Sequence, residues 1–176
     1  SLIFSNNSPG FPYISLNTSK PAKTFLGFFE GQVLIGRMES SGQTPTQNEE
    51  LNANFFVPLN PDWRYLNGIM ISYSPKWIPT LSFGYTRTYQ YYNAERPNDL
   101  KGWLPILEPM AKEKLFENGN SMEYDDRAQS QQISIFGRYK MTKAKAEVYF
   151  QFGRRDHAFN WREFTMNPEH ARAYQF

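Results

Sequence analysis

The chain has 176 residues, with 19 basic against 17 acidic side chains and a formal charge of +2 at pH 7. That length suits one domain or part of one, and the balance gives no electrostatic case for nucleic acid or an anionic membrane surface as partner. There is no cysteine, which excludes a disulfide framework, a thiolate nucleophile and any Cys-ligated metal.

Mean hydropathy is −0.65, yet 17% of residues are aromatic. A disordered chain lacks that aromatic load, and no run approaches the ~20 apolar residues of a spanning helix. A polar average rich in rings fits an alternating β-protein, soluble or membrane-embedded. The chain opens at Ser1 with no leader pattern of basic, apolar and small residues, which reads as a processed or excised segment.

In chain order, "FSNNSPGFPYISL" is rich in Asn, Pro and Gly but studded with Phe4, Phe11 and Tyr13. From Thr24 a strand follows in which Phe25, Phe29, Val33 and Ile35 share a face with Gly27 and Gly31. Glycine inside a strand often marks a close backbone approach, so Gly27, Gly31 and Gly36 are expected to receive the aromatic turn. A loop over 40–62 leads to "WRYLNGIMISY", where Trp63, Tyr65, Ile69, Ile71 and Tyr73 fall on one side and Arg64, Gly68 and Ser72 on the other. Leu66 and Met70 blur that alternation. Pro75 and Pro79 make "SPKWIPT" a turn.

"TLSFGYTRTYQYY" at 80–92 carries the clearest period-2 signal. Leu81, Phe83, Tyr85, Arg87, Tyr89 and Tyr91 share one face, with only Arg87 out of character, and Thr80, Ser82, Gly84, Thr86, Thr88 and Gln90 the other. The face of Leu81, Phe83, Tyr85 and Tyr89 is expected to meet lipid. Residues 93–130 form the longest excursion. A short helix is expected near 109–117, with Pro109 in its first turn and Gly119 just past its end. A second hairpin over 131–155 alternates Ile133, Ile135, Gly137 and Tyr139 with Gln132, Ser134, Phe136 and Arg138, then Ala146, Val148, Phe150 and Phe152 with Glu147, Tyr149 and Gln151.

About six strands of roughly 10–15 residues emerge, against a mode of about 5–6 in globular proteins and the ~9–11 of a membrane-spanning strand. One face is aliphatic with aromatic ends; the other is Thr, Ser, Gln and Gly. Turns near 74–80 and 140–145 are short and the other connections long, the asymmetry of an outer-membrane barrel. A large antiparallel sheet with one wet face is the soluble alternative.

Catalytic and metal signatures are sparse. His157 and His170 lie in no zinc-ligand spacing, and no phosphate loop or nucleophile elbow occurs. Neither a metal nor an organic cofactor is expected. The carboxylates Glu30, Glu49, Glu50, Glu123, Asp125, Asp126, Glu147 and Asp156 are not placed by the sequence into a glycosidase pair. "FGRRDHAFNW" ends a strand with Arg154, Arg155 and Asp156, read as a polar cluster in a lumen. Tyr92, Trp103, Tyr124 and Trp161 are loop aromatics among polar residues. Sugar C–H faces pack on rings, so Trp103 and Tyr124 are the stacking candidates, with Lys101 and Arg127 placed to meet any uronic carboxylate.

Three stretches in order, "SLIFSNNSPGFPYISL" running to "GRMES", "RYLNGIMISYSPKWIPTLSFGYTRTY" and "AEVYFQFGRRDHAFNWREFTMNPEHARAY", resemble the Wzi family of capsule-assembly proteins, in particular its Bacteroidetes-type members. The resemblance spans essentially the whole chain. It implies an all-β, antiparallel transmembrane barrel in the outer membrane of a Gram-negative bacterium, of which residues 1–176 are a central piece. The implied role is lectin-like and non-enzymatic: retaining capsular polysaccharide at the cell surface, against outer-membrane lipid and in reach of capsule export machinery. A general porin or transport barrel and a carboxylate-dependent polysaccharide hydrolase remain as alternatives. On this reading Asn6, Asn7, Pro9, Gly10 and Pro12 fold a compact plug-like turn over the polar interior.

Overall fold

The computed structural model describes residues 10–40, 42–57, 60–107, 130–155, 161–166 and 172–176. Its strands are β1 (Tyr13–Asn17), β2 (Ala22–Lys23), β3 (Gly27–Met38), β4 (Arg64–Pro75), β5 (Leu81–Tyr92), β6 (Ser130–Met141), β7 (Ala146–Arg155) and β8 (Arg172–Gln175). All join one antiparallel sheet in the order β1-β3-β4-β5-β6-β7-β8, with β2 pairing β3 beside β1. The sheet has eight strands where the sequence suggested about six. Five are the long strands β3 to β7, and the other three, β1, β2 and β8, are short pieces whose period-2 signal is too brief to read. The sheet is not closed: β1 and β8 stand at opposite edges.

Continuous register carries the alternation of each strand onto its neighbour. Tyr73 pairs Phe83, Ile71 pairs Tyr85 and Ile69 pairs Arg87; beyond them Tyr85 faces Ile135 and Arg87 faces Ile133, and then Ile135 faces Phe152 and Ile133 faces Arg154. Directly opposed residues share a face. One face of the sheet therefore carries Val33, Ile69, Ile71, Phe83, Tyr85, Ile135, Phe150 and Phe152; the other, the polar face, carries Gln32, Gly68, Ser72, Ser82, Thr86, Thr88, Ser134 and Gln151, with Leu34, Leu66, Met70, Phe136 and Tyr149 among them. On the polar face hydroxyls and amides satisfy each other, as Gln151 Nε2 donates to Ser134 Oγ at 2.6 Å and Ser74 Oγ meets Ser82 Oγ at 3.0 Å. Gly84 lies under the ring of its cross-strand partner Phe136, a contact that any Cβ would obstruct.

The two ends of the sheet differ. At one end the turns at 76–80 and 142–145 are tight; Leu81 N–H donates to the Ile78 carbonyl at 3.0 Å, and Lys145 closes the second turn with φ 51°. At the other end lie the connections 39–63, 93–129 and 156–171. The first holds α1 (Glu49–Phe55), capped by Asn48, whose side chain accepts from Leu51 N at 3.1 Å. The second begins with a 3-10 turn at Asn93–Glu95, α2 (Leu100–Trp103) and another 3-10 turn at Pro105–Leu107, and the third holds α3 (Trp161–Met166). The helix expected near 109–117 lies outside the described residues. No helix among the described residues is long and apolar enough to cross a membrane, which says nothing of strands.

Among the described residues, the aromatic turn meets the wall at one of its three expected glycines. Phe11 lies on Gly36, where a Cβ would come within 2.7 Å of its ring. Gly27 answers a different need: its φ of +152° and its contact with the Ser74 carbonyl start β3 beside the end of β4. A Cβ at Gly31 would meet the Met70 carbonyl at 3.9 Å, an ordinary contact.

The core is small and lies at the long-connection end of the apolar face. Tyr65, Tyr89, Tyr91 and Ile106 form it, with Val33, Ile35, Trp63 and Ile69 against them. Toward the short turns the same face is open: Ile71, Phe83, Ile135, Tyr139, Val148 and Phe150 are all exposed.

Candidate functional site

What closes the core is the start of the β5–β6 connection. Residues 93–107 fold back over the apolar face and are tied to it by side chains of two strands, β4 and β5. Tyr65 Oη donates to the Trp103 carbonyl at 2.6 Å and Tyr91 Oη to the Gly102 carbonyl. Arg87 Nη1 donates to the Ile106 carbonyl at 2.7 Å, and Asn67 Oδ1 accepts from Ile106 N at 3.4 Å. The fold-back starts where Asn93 N donates to the Trp63 carbonyl at 3.0 Å and Ala94 N to Asp62 Oδ2 at 2.7 Å. Asp99 then caps α2, accepting from Gly102 N at 2.7 Å.

This corrects the expectation that Tyr89 points to lipid. Tyr89 is 1% exposed, sealed beneath the connection, whereas Phe83 on the same strand and face is 45% exposed. The out-of-character Arg87 is explained by the same seal. It is 4% exposed, and its Nε and Nη2 both reach Gln131 Oε1, at 2.9 and 2.5 Å. A buried guanidinium needs such acceptors, and the connection supplies one of them.

On the outer surface of the fold-back, arginines lie on aromatic rings. The Arg96 guanidinium sits 3.7 Å above the Trp103 ring and 5.3 Å from that of Tyr65, while Tyr65 meets Trp103 edge-on at 6.1 Å. Arg37, opposite Tyr65 in the ladder, lies 4.9 Å from the ring of Trp63. A third stack, Arg64 on Tyr92 at 4.7 Å, stands on the polar face, with Nη2 donating to Tyr92 Oη at 2.8 Å. It lines a cleft of about 210 Å³ with Met38, Glu39, Ser40, Asn60 and Asp62.

Of the nearby acids, Glu95 has its Oε2 buried without a hydrogen-bond partner among the described residues, and the others are engaged. Glu39 pairs with Arg37 at 2.7 Å, and Asp62 and Asp99 accept the backbone N–H groups already named. A second cleft, of about 260 Å³, lies lower on the polar face, where Phe11, Tyr13 and Leu34 border Gly68, Thr86 and Thr88.

Of the residues singled out in the sequence, Trp103 ends α2 and is 46% exposed. Lys101 belongs to the same short helix. Tyr124, Arg127 and Asp156 lie outside the described residues. Arg154 and Arg155 do not form one lumen cluster, because consecutive strand residues point to opposite faces. Arg154, 4% exposed, is on the apolar face opposite Ile133, in the row of Arg87 and Arg172, while Arg155 is exposed on the polar face opposite Gln132. Tyr92 is buried, stacked under Arg64.

The carboxylates within the described residues are dispersed. Glu147 is held by Arg138 at 2.6 Å, Glu30 accepts from Ser72 Oγ at 3.3 Å, and Glu49 and Glu50 open α1. Among the described residues no three His, Asp or Glu side chains gather as metal ligands would.

Sequence reasoning missed Arg96, Arg37 and Trp63. Nothing local marks Arg96, since its ring partners are at positions 65 and 103. Comparison with protein-family models, with curated proteins and with solved structures finds no match to this chain.

Proposed function

We propose that this chain is wall of an outer-membrane β-barrel of the Wzi-like kind, whose long-connection end faces outward and holds capsular polysaccharide as a lectin does, without acting on it chemically. One observation carries the barrel part: long antiparallel strands joined in succession, with an exposed apolar band on one face, a mixed face richer in Ser, Thr and Gln on the other, and tight turns at one end only. That combination is what a transmembrane barrel needs.

The band has a floor and a ceiling. Exposed Phe25, Trp77 and Ile78 stand at the tight-turn end, and the row Ile69–Arg87–Ile133–Arg154 bounds it above. From Ile69 to Trp77 is about 26 Å along the chain at roughly 3.3 Å per residue, or about 20 Å along the membrane normal at a tilt of ~40°, against the ~25 Å apolar height of such barrels. The open edges at β1 and β8 fit the same reading, since an exposed sheet edge calls for a neighbouring strand. The polysaccharide part rests on the family resemblance and on ring-rich, arginine-bearing loops at one end. Partners on this reading are outer-membrane lipid, capsular polysaccharide and the export machinery that delivers it.

The test uses the absence of native cysteine. Single cysteines at Phe83, Ile135 and Val148, and at Ser82, Ser134 and Glu147, are labelled with an environment-sensitive dye in the intact protein in liposomes. Labels at the first three should be quenched by brominated lipid and those at the second three spared. In cells, deleting the protein should release capsule into the medium without lowering the amount made. Equal quenching at both sets defeats the barrel reading. Loss of capsule synthesis itself points to export or enzymatic work and defeats the lectin reading.

A further inference from the structure

We infer that the Arg96–Trp103–Tyr65 stack is the binding point for an acidic sugar chain, with Arg96 the residue that selects carboxylate-bearing over neutral polymer. This rests on the polysaccharide reading above and names the ligand class and the selecting residue within it.

The side chain of Arg96 carries the selection. Among the described residues no carboxylate pairs with it, and the nearby Asp62 and Asp99 are turned to backbone N–H groups. Its guanidinium carbon lies 3.7 Å from the centroid of the Trp103 ring. Stacking uses the plane of that group and leaves its N–H edges free for a carboxylate in the two-pronged geometry an ammonium cannot match. Trp103 is 46% exposed, with Arg96 over its ring and Tyr65 meeting it edge-on. A polymer crossing the Trp103 edge can lay one sugar ring on the indole and bring a carboxylate of its neighbour to Arg96. The scaffold beneath is fixed: Tyr65 Oη and Tyr91 Oη hold the carbonyls of Trp103 and Gly102, so the stack is presented by a pinned backbone, which limits the ordering cost of binding.

Lipid phosphate is the other anion a cation–aromatic patch could meet, and position decides against it. The stack is anchored on the Tyr65 row, four residues along β4 from the Ile69–Arg87 row that bounds the apolar band. That is about 13 Å along the strand and about 10 Å along the membrane normal at a tilt of ~40°. A headgroup layer is about 5–8 Å deep. The stack stands clear of it, where exported polymer passes.

The experiment uses the intact protein in neutral detergent, with polygalacturonate as acidic probe, dextran as neutral probe, and vesicles with and without phosphatidylglycerol. Wild type should bind polygalacturonate and prefer it over dextran, and should weaken as salt rises. Arg96→Gln should lose at least tenfold affinity for polygalacturonate and leave dextran unchanged. Arg96→Lys should fall between them, keeping charge without the fork. An unchanged thermal unfolding midpoint in both variants excludes misfolding as the cause. Polygalacturonate binding that is absent in wild type, or unchanged in Arg96→Gln, overturns the inference. So does Arg96-dependent binding to phosphatidylglycerol vesicles that exceeds binding to polygalacturonate. Capsule shed by cells lacking the protein but kept by cells carrying Arg96→Gln removes Arg96 while sparing the lectin reading; capsule kept by both removes that reading.

Discussion

Replacing Arg87 with methionine tests how the β5–β6 connection is fastened. The guanidinium is 4% exposed and, among the described residues, donates three hydrogen bonds to Gln131 Oε1 and the Ile106 carbonyl. Both acceptors belong to buried residues, with Gln131 2% and Ile106 8% exposed. Methionine matches much of the arginine stem but leaves the two oxygens dry. A stranded buried acceptor costs about 1–3 kcal/mol, and hydrogen bonds to a charged donor contribute about 1.5–3 kcal/mol. The terms overlap, and two stranded neutral acceptors together with the lost charged-donor bonds put the total at about 3–5 kcal/mol.

Urea unfolding of Arg87→Met in micelles should therefore shift by about 3–5 kcal/mol with an unchanged denaturant slope. Hydrogen exchange should quicken first at residues 104–107, which lose their tie to the wall. The double variant Arg87→Met with Gln131→Leu removes one stranded oxygen and should recover about 1–2 kcal/mol. A single-variant loss under ~1 kcal/mol, or a double variant no better than the single, would refute the account of Arg87 as the fastener.

Two further substitutions probe the wall. Gly84→Val puts atoms where the Phe136 ring lies and should cost about 1–3 kcal/mol in thermal unfolding as the ring is displaced. Gly137→Ala, whose nearest neighbour is the Phe83 ring at 3.8 Å, should stay within about 0.5 kcal/mol of wild type. Arg138→Gln breaks the Glu147 pair at 2.6 Å, but both side chains are nearly half exposed. Its loss should be under about 1 kcal/mol and shrink in high salt, and a larger loss would mean that the pair is better shielded than its exposure implies.

The amino-acid sequence by itself determined the strands and their faces. Side chains in a pleated strand alternate whatever lies around them, so Ile71 and Tyr73, Phe83 and Tyr85, and Ile133 and Ile135 could be put on one face from their order alone. Pro75 and Pro79 likewise marked the tight turn, because neither ring nitrogen can donate to a ladder. The Asn48–Glu49–Glu50 start of α1 was legible too, as an N-cap with acids in the first turn, and went unread because the loop around it looked irregular. The short edge strands left too few residues for a period to register.

The tertiary structure alone decided which part of each face is covered. Tyr89 and Phe83 share a strand and a face, yet one is sealed and the other open, because residues 93–107 return over one end of the sheet and not the other. The same return gives Arg87 its acceptor and carries Arg96 onto Trp103 and Tyr65. Alternation is a property of neighbouring peptide units. Where a long connection comes to rest is set by contacts between residues tens of positions apart, whose energies no short window of sequence contains.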